Sequence, residues 1–190
     1  LISNQRHNRL LQKYIARGCG GMKLLLTLVA SGFVFIAVLV CNADKANVPA
    51  APNGITLPEG YKDWRLIASS HRSDNNTLRV ILGNDVAIKA ARDGNINPWP
   101  DGTIFAKLVW KDKTHEKWST ATIPGEFVHA EFMIKDTKKY SATGGWGFAR
   151  WLGMEQKPYG KDTSFVQECF GCHTPVKDND YVFTRPAIIP

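Results

Sequence analysis

The feature that most constrains this chain is a Cys-x-x-Cys-His motif, formed by Cys169, Cys172 and His173 close to its last residue, Pro190. Two cysteines three apart share one helical turn, where each can join a haem vinyl group as a thioether while the following imidazole turns onto the iron. This is the attachment motif of c-type haem. A structural zinc would need four ligands, usually with a second Cys/His pair, and none follows. A thioredoxin-like redox pair opens a helix early in a βαβ unit, whereas this pair comes last. The expected cofactor is therefore haem c, an iron porphyrin attached covalently through Cys169 and Cys172, with His173 as the metal ligand.

The start of the sequence supplies the compartment. Met22 and Lys23 precede an apolar run, Leu24 to Val40, followed by Cys41, Asn42 and Ala43. A basic start, an apolar stretch and small residues before Asp44 read as a secretion signal over 22–43 and place the mature protein in the periplasm. An uncleaved membrane anchor is the competing reading. Val40 is too bulky to favour a lipoprotein site at Cys41. Residues 1–21 lack an initiating Met, carry Arg6, Arg9, Lys13 and Arg17, and read as an upstream extension.

Charge then changes meaning. The chain has 24 Lys/Arg against 17 Asp/Glu, a net +7. Five of the basic residues and no acid lie in 1–43, so the remainder carries 19 against 17. A balance of about +2 gives no electrostatic case for nucleic acid or for a membrane surface. Only the two motif cysteines remain after residue 43, so no disulfide framework is expected. Residues 44–56, rich in Ala, Asn and Pro, read as a flexible lead-in.

Beyond it the pattern is mostly strand. Thr77–Leu82, Thr103–Trp110, Phe127–Ile134, Gly145–Trp151 and Tyr181–Arg185 are rich in β-branched or aromatic residues and bounded by Gly, Pro, Asp or Asn. Asn84 and Asp85 can cap a helix through Ala87, Ile88 and Ala91 that stops near Gly94. A second helix is expected over Ser164–His173, and a third around Trp64 and Leu66. The class is α+β, a mostly antiparallel sheet with a few short helices and a haem motif near the end.

This order excludes the small helical electron carriers, whose motif comes early and whose methionine ligand follows. Thr174–Pro190 holds neither Met nor His. A sixth iron ligand would come from Met133, Met154, His71, His115 or His129; the favoured state leaves the distal side open, for binding or transforming a small molecule. Lys107 also stands out. Strand alternation sets it beside Phe105 and Val109 on its own face, and such neighbours desolvate an ammonium and favour the free, nucleophilic amine. A lysine snorkelling at a sheet edge is the ordinary alternative.

The segment Leu57 to Pro186 resembles the cytochrome P-460 family and the related beta-type cytochrome c-prime. The matching stretches are Leu57–Trp64 (LPEGYKDW), Thr77–Leu82 (TLRVIL) with Asp85, Asp101–Lys107 (DGTIFAK), Ile134–Tyr140 (IKDTKKY), Gly145–Phe148 (GWGF), Cys169–His173 (CFGCH) and Tyr181–Arg185 (YVFTR). Their order, with the haem motif last, sets the domain at 57–190. The resemblance implies a sheet-rich homodimer with its haem on His173. It also implies that Lys107 matches a lysine linked in some members to a porphyrin meso carbon, and that Arg79 sits over the haem as a hydrogen-bond donor to ligand or water.

Members with the link oxidise hydroxylamine to nitrous or nitric oxide and pass electrons to an acceptor cytochrome, using a distal carboxylate. Glu131, Glu168, Asp162 and Glu126 are the candidates for that acid. The other class is a non-catalytic protein that binds nitric oxide, with a phenylalanine cap from Phe105, Phe127, Phe132 or Phe148. A haem-dependent hydroxylamine oxidoreductase is the leading expectation.

Overall fold

The computed structural model describes residues 48–189; the upstream extension, the secretion signal and residues 44–47 lie outside them. Six strands run Arg65–Arg72 (β1), Thr77–Gly83 (β2), Ile104–His115 (β3), Trp118–Lys135 (β4), Trp146–Leu152 (β5) and Lys157–Pro158 (β6). Every neighbour in sequence is a neighbour in the sheet, and all pairs are antiparallel. Two helices accompany the sheet, α1 over Asp85–Asp93 and α2 over Phe165–His173. Among the described residues no helix is long and apolar enough to cross a membrane.

Local chemistry explains most of these elements. The Asn84 side-chain oxygen accepts from the Ala87 amide at 3.0 Å and starts α1, and Gly94 ends it in the left-handed region at φ 73°. Alternation in β2 to β5 sends one set of side chains to each face. On the first face Ile67, Ile81, Phe105, Trp146 and Phe148 pack with α1. On the second, Ala106, Ala130, Phe132 and Trp151 pack with Ala51, Ile55 and Tyr61. Trp146 and Trp151 are fully buried, one on each face; burying such a ring removes about 150–250 Å² from water, a gross gain of about 4–6 kcal/mol.

Three expectations change. The stretch read as a flexible lead-in packs from residue 48 onward: Ala51 and Ile55 are buried, and the Pro49 carbonyl accepts the Trp151 indole N–H at 3.0 Å. The expected helix around Trp64 and Leu66 is instead a three-residue 3-10 turn, Tyr61–Asp63, running into β1. The expected strand Tyr181–Arg185 is irregular, because Asp180 and Tyr181 take φ values of 50° and 62° that no strand accommodates. The other four predicted strands are present, and β3 and β4 extend well past the expected limits into a long hairpin.

Candidate functional site

A cavity of about 630 Å³ lies between the sheet and the segment bearing the cysteines. Its sheet wall follows from register. Ile81 pairs with Lys107, Lys107 with Glu131 and Glu131 with Arg150, so these four side chains form one row across β2 to β5. The next row on one side brings Arg79, and on the other Phe105, Met133 and Phe148. Cys169, Cys172 and His173 line the opposite side of the same cavity. Val166 and Cys169 touch both core clusters, which fixes α2 where the two faces meet.

Glu131 is the electrostatic centre of the wall. One carboxylate oxygen pairs with the Lys107 ammonium; the other lies 2.6 Å from the Arg150 guanidinium and 3.2 Å from His129 Nε2. Burial pushes the Glu131 carboxyl up, but the His129 hydrogen bond and the Lys107 and Arg150 charges together outweigh it and hold the group well below the ordinary carboxylate range. It is an anion at any physiological pH. Arg150 is itself braced by the Tyr159 ring, 4.4 Å from the guanidinium carbon, and by Glu168 at 3.8 Å.

On the other side, His173 Nδ1 lies 2.7 Å from the Tyr181 carbonyl oxygen. A carbonyl only accepts, so Nδ1 carries the proton and Nε2 keeps its lone pair for a metal. Burial pushes the imidazole below its usual value, against the Tyr181 bond, which favours the neutral ligating form. The His173 ring packs between Phe148 and Phe183, with centroids 5.3 and 5.2 Å away. Burial pushes the Cys169 thiol up to about 11, while Cys172 is exposed; neither is in a disulfide.

These residues fit a thioether-linked haem on structural grounds. Both thiols and a tautomer-fixed imidazole border one cavity. Arg79 Nε and Arg150 Nε are buried on its wall without a hydrogen-bond partner among the described residues, and such orphan donors mark a place for an acceptor. Burial, and after it the neighbouring Arg72, pull the Arg79 guanidinium down. Among the described residues no cluster of three or more His, Cys, Asp or Glu is arranged to hold a bare metal ion.

A family model described as Cytochrome P460 matches residues 58–184. The chain belongs to the cytochrome P460 family. No curated protein matches it.

Within this P460 domain the structure sorts the sequence candidates. Lys107, Arg79, Cys169, Cys172 and His173 all line this cavity. The apolar neighbours expected for Lys107 along its strand are there in Phe105 and Val109, but across the sheet it faces a carboxylate. Of the four acids, Glu131 and Glu168 line the cavity, Glu131 mostly buried in the sheet wall and Glu168 at the rim with its side chain 59% exposed; Glu126 is exposed, and Asp162 accepts the Ser164 amide away from the cavity. Of the five candidate sixth ligands only Met133 lines the cavity: Met154 is exposed, His71 pairs with Asp112, His115 with the Lys117 amide and His129 with Glu131. Phe105, Phe132 and Phe148 border it, while Phe127 packs on Trp110.

Sequence reading missed Arg150 and the Tyr181 carbonyl. Arg150 had a signal, since alternation in β5 sets it on the face of Trp146 and Phe148. The carbonyl had none.

Proposed function

We propose that this P460-family protein is a periplasmic mono-haem c-type cytochrome that oxidises hydroxylamine to nitrous or nitric oxide. The observation that carries the reading is the Glu131 carboxylate, set in the cavity wall between Lys107 and Arg150 and opposite the Cys169, Cys172 and His173 motif. When bound, the haem supplies an iron that takes the nitrogen ligand and relays its electrons. Cys169 and Cys172 hold the ring by thioethers and His173 holds the iron through Nε2.

The chain's own part is proton handling and ligand orientation. Converting two hydroxylamines to one nitrous oxide and one water releases four protons and four electrons. Bonding Lys107 to the ring removes its ammonium from beside Glu131, which leaves the carboxylate a stronger base and makes it the acceptor for those protons. Arg150 and the exposed Glu168 beside it lead from Glu131 toward solvent. Arg79, with an unpaired Nε–H, donates to the oxygen of the ligand. An acceptor cytochrome takes the electrons. Lys107 is the side chain linked to the ring edge, an N–C bond whose formation releases two protons and two electrons to a peroxide-class oxidant.

The alternative, a non-catalytic binder of nitric oxide, would use a phenylalanine cap over the ligand. Phe148 instead packs tilted against His173, Phe105 is held between Trp99 and Trp146 at 4.8 and 5.7 Å, and Phe132 packs edge-on with Tyr61 and Trp151. These placements favour the enzyme.

Tryptic mapping of the denatured holoprotein should give a haem peptide with Cys169–His173 joined to the Lys107 peptide; a haem peptide with the motif alone would remove the link. Hydroxylamine with an artificial oxidant should turn over, and Glu131→Gln should lose about 10²–10⁴-fold while retaining haem, the usual worth of a general base. Absence of turnover in the unmodified protein would shift the function to ligand binding. A low-spin six-coordinate ferrous spectrum would shift it to electron transfer.

A further inference from the structure

We propose that the buried Lys135–Asp180 ion pair is the positioning device for His173, holding the carbonyl that fixes the tautomer and angle of the imidazole. The inference rests on His173 being the iron ligand, and concerns what sets its strength as one.

Lys135 ends β4 and is 3% exposed; Asp180 is 8% exposed. Such burial of opposite charges is uncommon and needs every polar atom satisfied. Here they are. Lys135 Nζ donates to Asp180 Oδ1 at 2.6 Å and to the Gly144 carbonyl at 3.3 Å, and lies 4.8 Å from the Trp146 ring centroid. Asp180 Oδ2 accepts from the Trp99 amide at 2.8 Å, and the Asp180 carbonyl accepts from the Trp146 indole at 2.8 Å. Three groups from three separate stretches thus grip one residue.

That residue is strained. Asp180 and Tyr181 are consecutive non-glycine residues in the left-handed region, at φ 50° and 62°. Strain of this kind persists only where the surroundings over-determine it, and it gathers at functional positions. Its result here is the direction of the next carbonyl, Tyr181 O, which meets His173 Nδ1 at 2.7 Å. The Tyr181 ring is wedged as well: a Cβ on Gly144 would sit 2.1 Å from Tyr181 Cε2, and Phe170 packs 5.3 Å away.

A partner that accepts the second imidazole proton raises the basicity of a metal-bound histidine, and losing it commonly costs tenfold or more in metal affinity or activity. In this fold the partner is backbone, beyond the reach of direct substitution. Control passes to the side chains that aim it.

The test uses holoprotein variants Asp180→Asn, Lys135→Met and the double Lys135→Met/Asp180→Asn, with Trp151→Phe as a destabilised comparator from the opposite core. Asparagine tolerates the left-handed region, and the double variant leaves no lone buried charge, so these two decide the matter if Lys135→Met alone fails to fold. A looser Tyr181 bond makes His173 a weaker donor to ferric iron. The midpoint potential should rise by at least a tenfold change in the oxidised-to-reduced ratio, about 59 mV for one electron, and the ferrous iron–histidine stretch should fall in frequency. Trp151→Phe should lose stability with neither signal moved. The proposal is overturned if the folded double variant keeps both signals, or if Trp151→Phe shifts them equally. Failure of the underlying reading would look different: the unmodified holoprotein would lack the iron–histidine band altogether.

Discussion

Glu131→Gln tests the electrostatics of the cavity wall independently of catalysis. The substitution keeps the shape and removes one negative charge from among Lys107, Arg150 and His129. Removing one partner of a fully buried pair costs about 3–5 kcal/mol, and exposed pairs are worth about 0–1. The Glu131 side chain is 18% exposed, Arg150 21% and Lys107 30%, so the site lies nearer the buried limit. Discounting for partial screening gives about 2–3 kcal/mol at pH 7, which in urea lowers the midpoint by about 1 M.

Its pH dependence has a definite sign. The folded carboxyl is held below its unfolded value of about 4.3, because the hydrogen bond from His129 and the charges of Lys107 and Arg150 overcome the opposing effect of burial. Its stabilisation is therefore complete above that unfolded value and is lost as pH falls toward the folded one. Urea titrations in a Lys107→Arg holoprotein, where a cation stays opposite Glu131 without the bond to the ring, should differ fully with and without Glu131→Gln at pH 7 and converge below about pH 4. Equal midpoints at pH 7, or an undiminished gap at pH 3, would refute the assignment of Glu131 as an ion-paired anion.

Gly144→Ala places a Cβ 2.1 Å from the Tyr181 ring at a backbone φ of 67°; it should cost about 3 kcal/mol and lower Tm by about 6–12 °C, and an unchanged melting curve would contradict the packing. Asn84→Ala removes an oxygen that accepts from both the Ala87 and Ile104 amides, so urea unfolding should show a loss of about 1–2 kcal/mol; no measurable loss would mean the cap is replaced by solvent. Lys107→Arg keeps a cation opposite Glu131 but removes the primary amine. Its haem peptide should carry Cys169 and Cys172 and no second peptide, and a persisting cross-link would point to another side chain.

Legibility from sequence followed periodicity. Strands β2 and β5 and the cap at Asn84 were readable because their residues alternate or cap in the usual way. Strand β1 was not: only Ile67 and Ala68, adjacent in sequence, are buried, and a register shift between Leu66 and Ala68 breaks the alternation. The outer β3–β4 hairpin is largely exposed, with shifts near Trp110 and Thr114, so no two-residue period marked it. Tyr181–Arg185 has strand composition, but Asp180 and the Tyr181 backbone bend it away. The motif named the cofactor side of the cavity. The opposite wall needed register, since only the pairing of Lys107 with Glu131 separates Glu131 from the other three acids.

The strictly sequential strand order carries a consequence for how the protein assembles. Each strand needs only its chain neighbour, so β3 and β4 can pair first across the two residues between His115 and Trp118, with β5 and β2 adding across connections of 10 and 20 residues, and such local pairings form sooner than distant ones. The wall bearing Lys107, Glu131 and Arg150 is then complete while the cysteine segment is still undocked. Pulsed hydrogen exchange during refolding of the holoprotein should protect amides of β3 and β4 before those of α2, and the reverse order would mean that the haem-bearing peptide templates the sheet. In the first case the protein builds the receiving surface before the piece that carries the haem arrives.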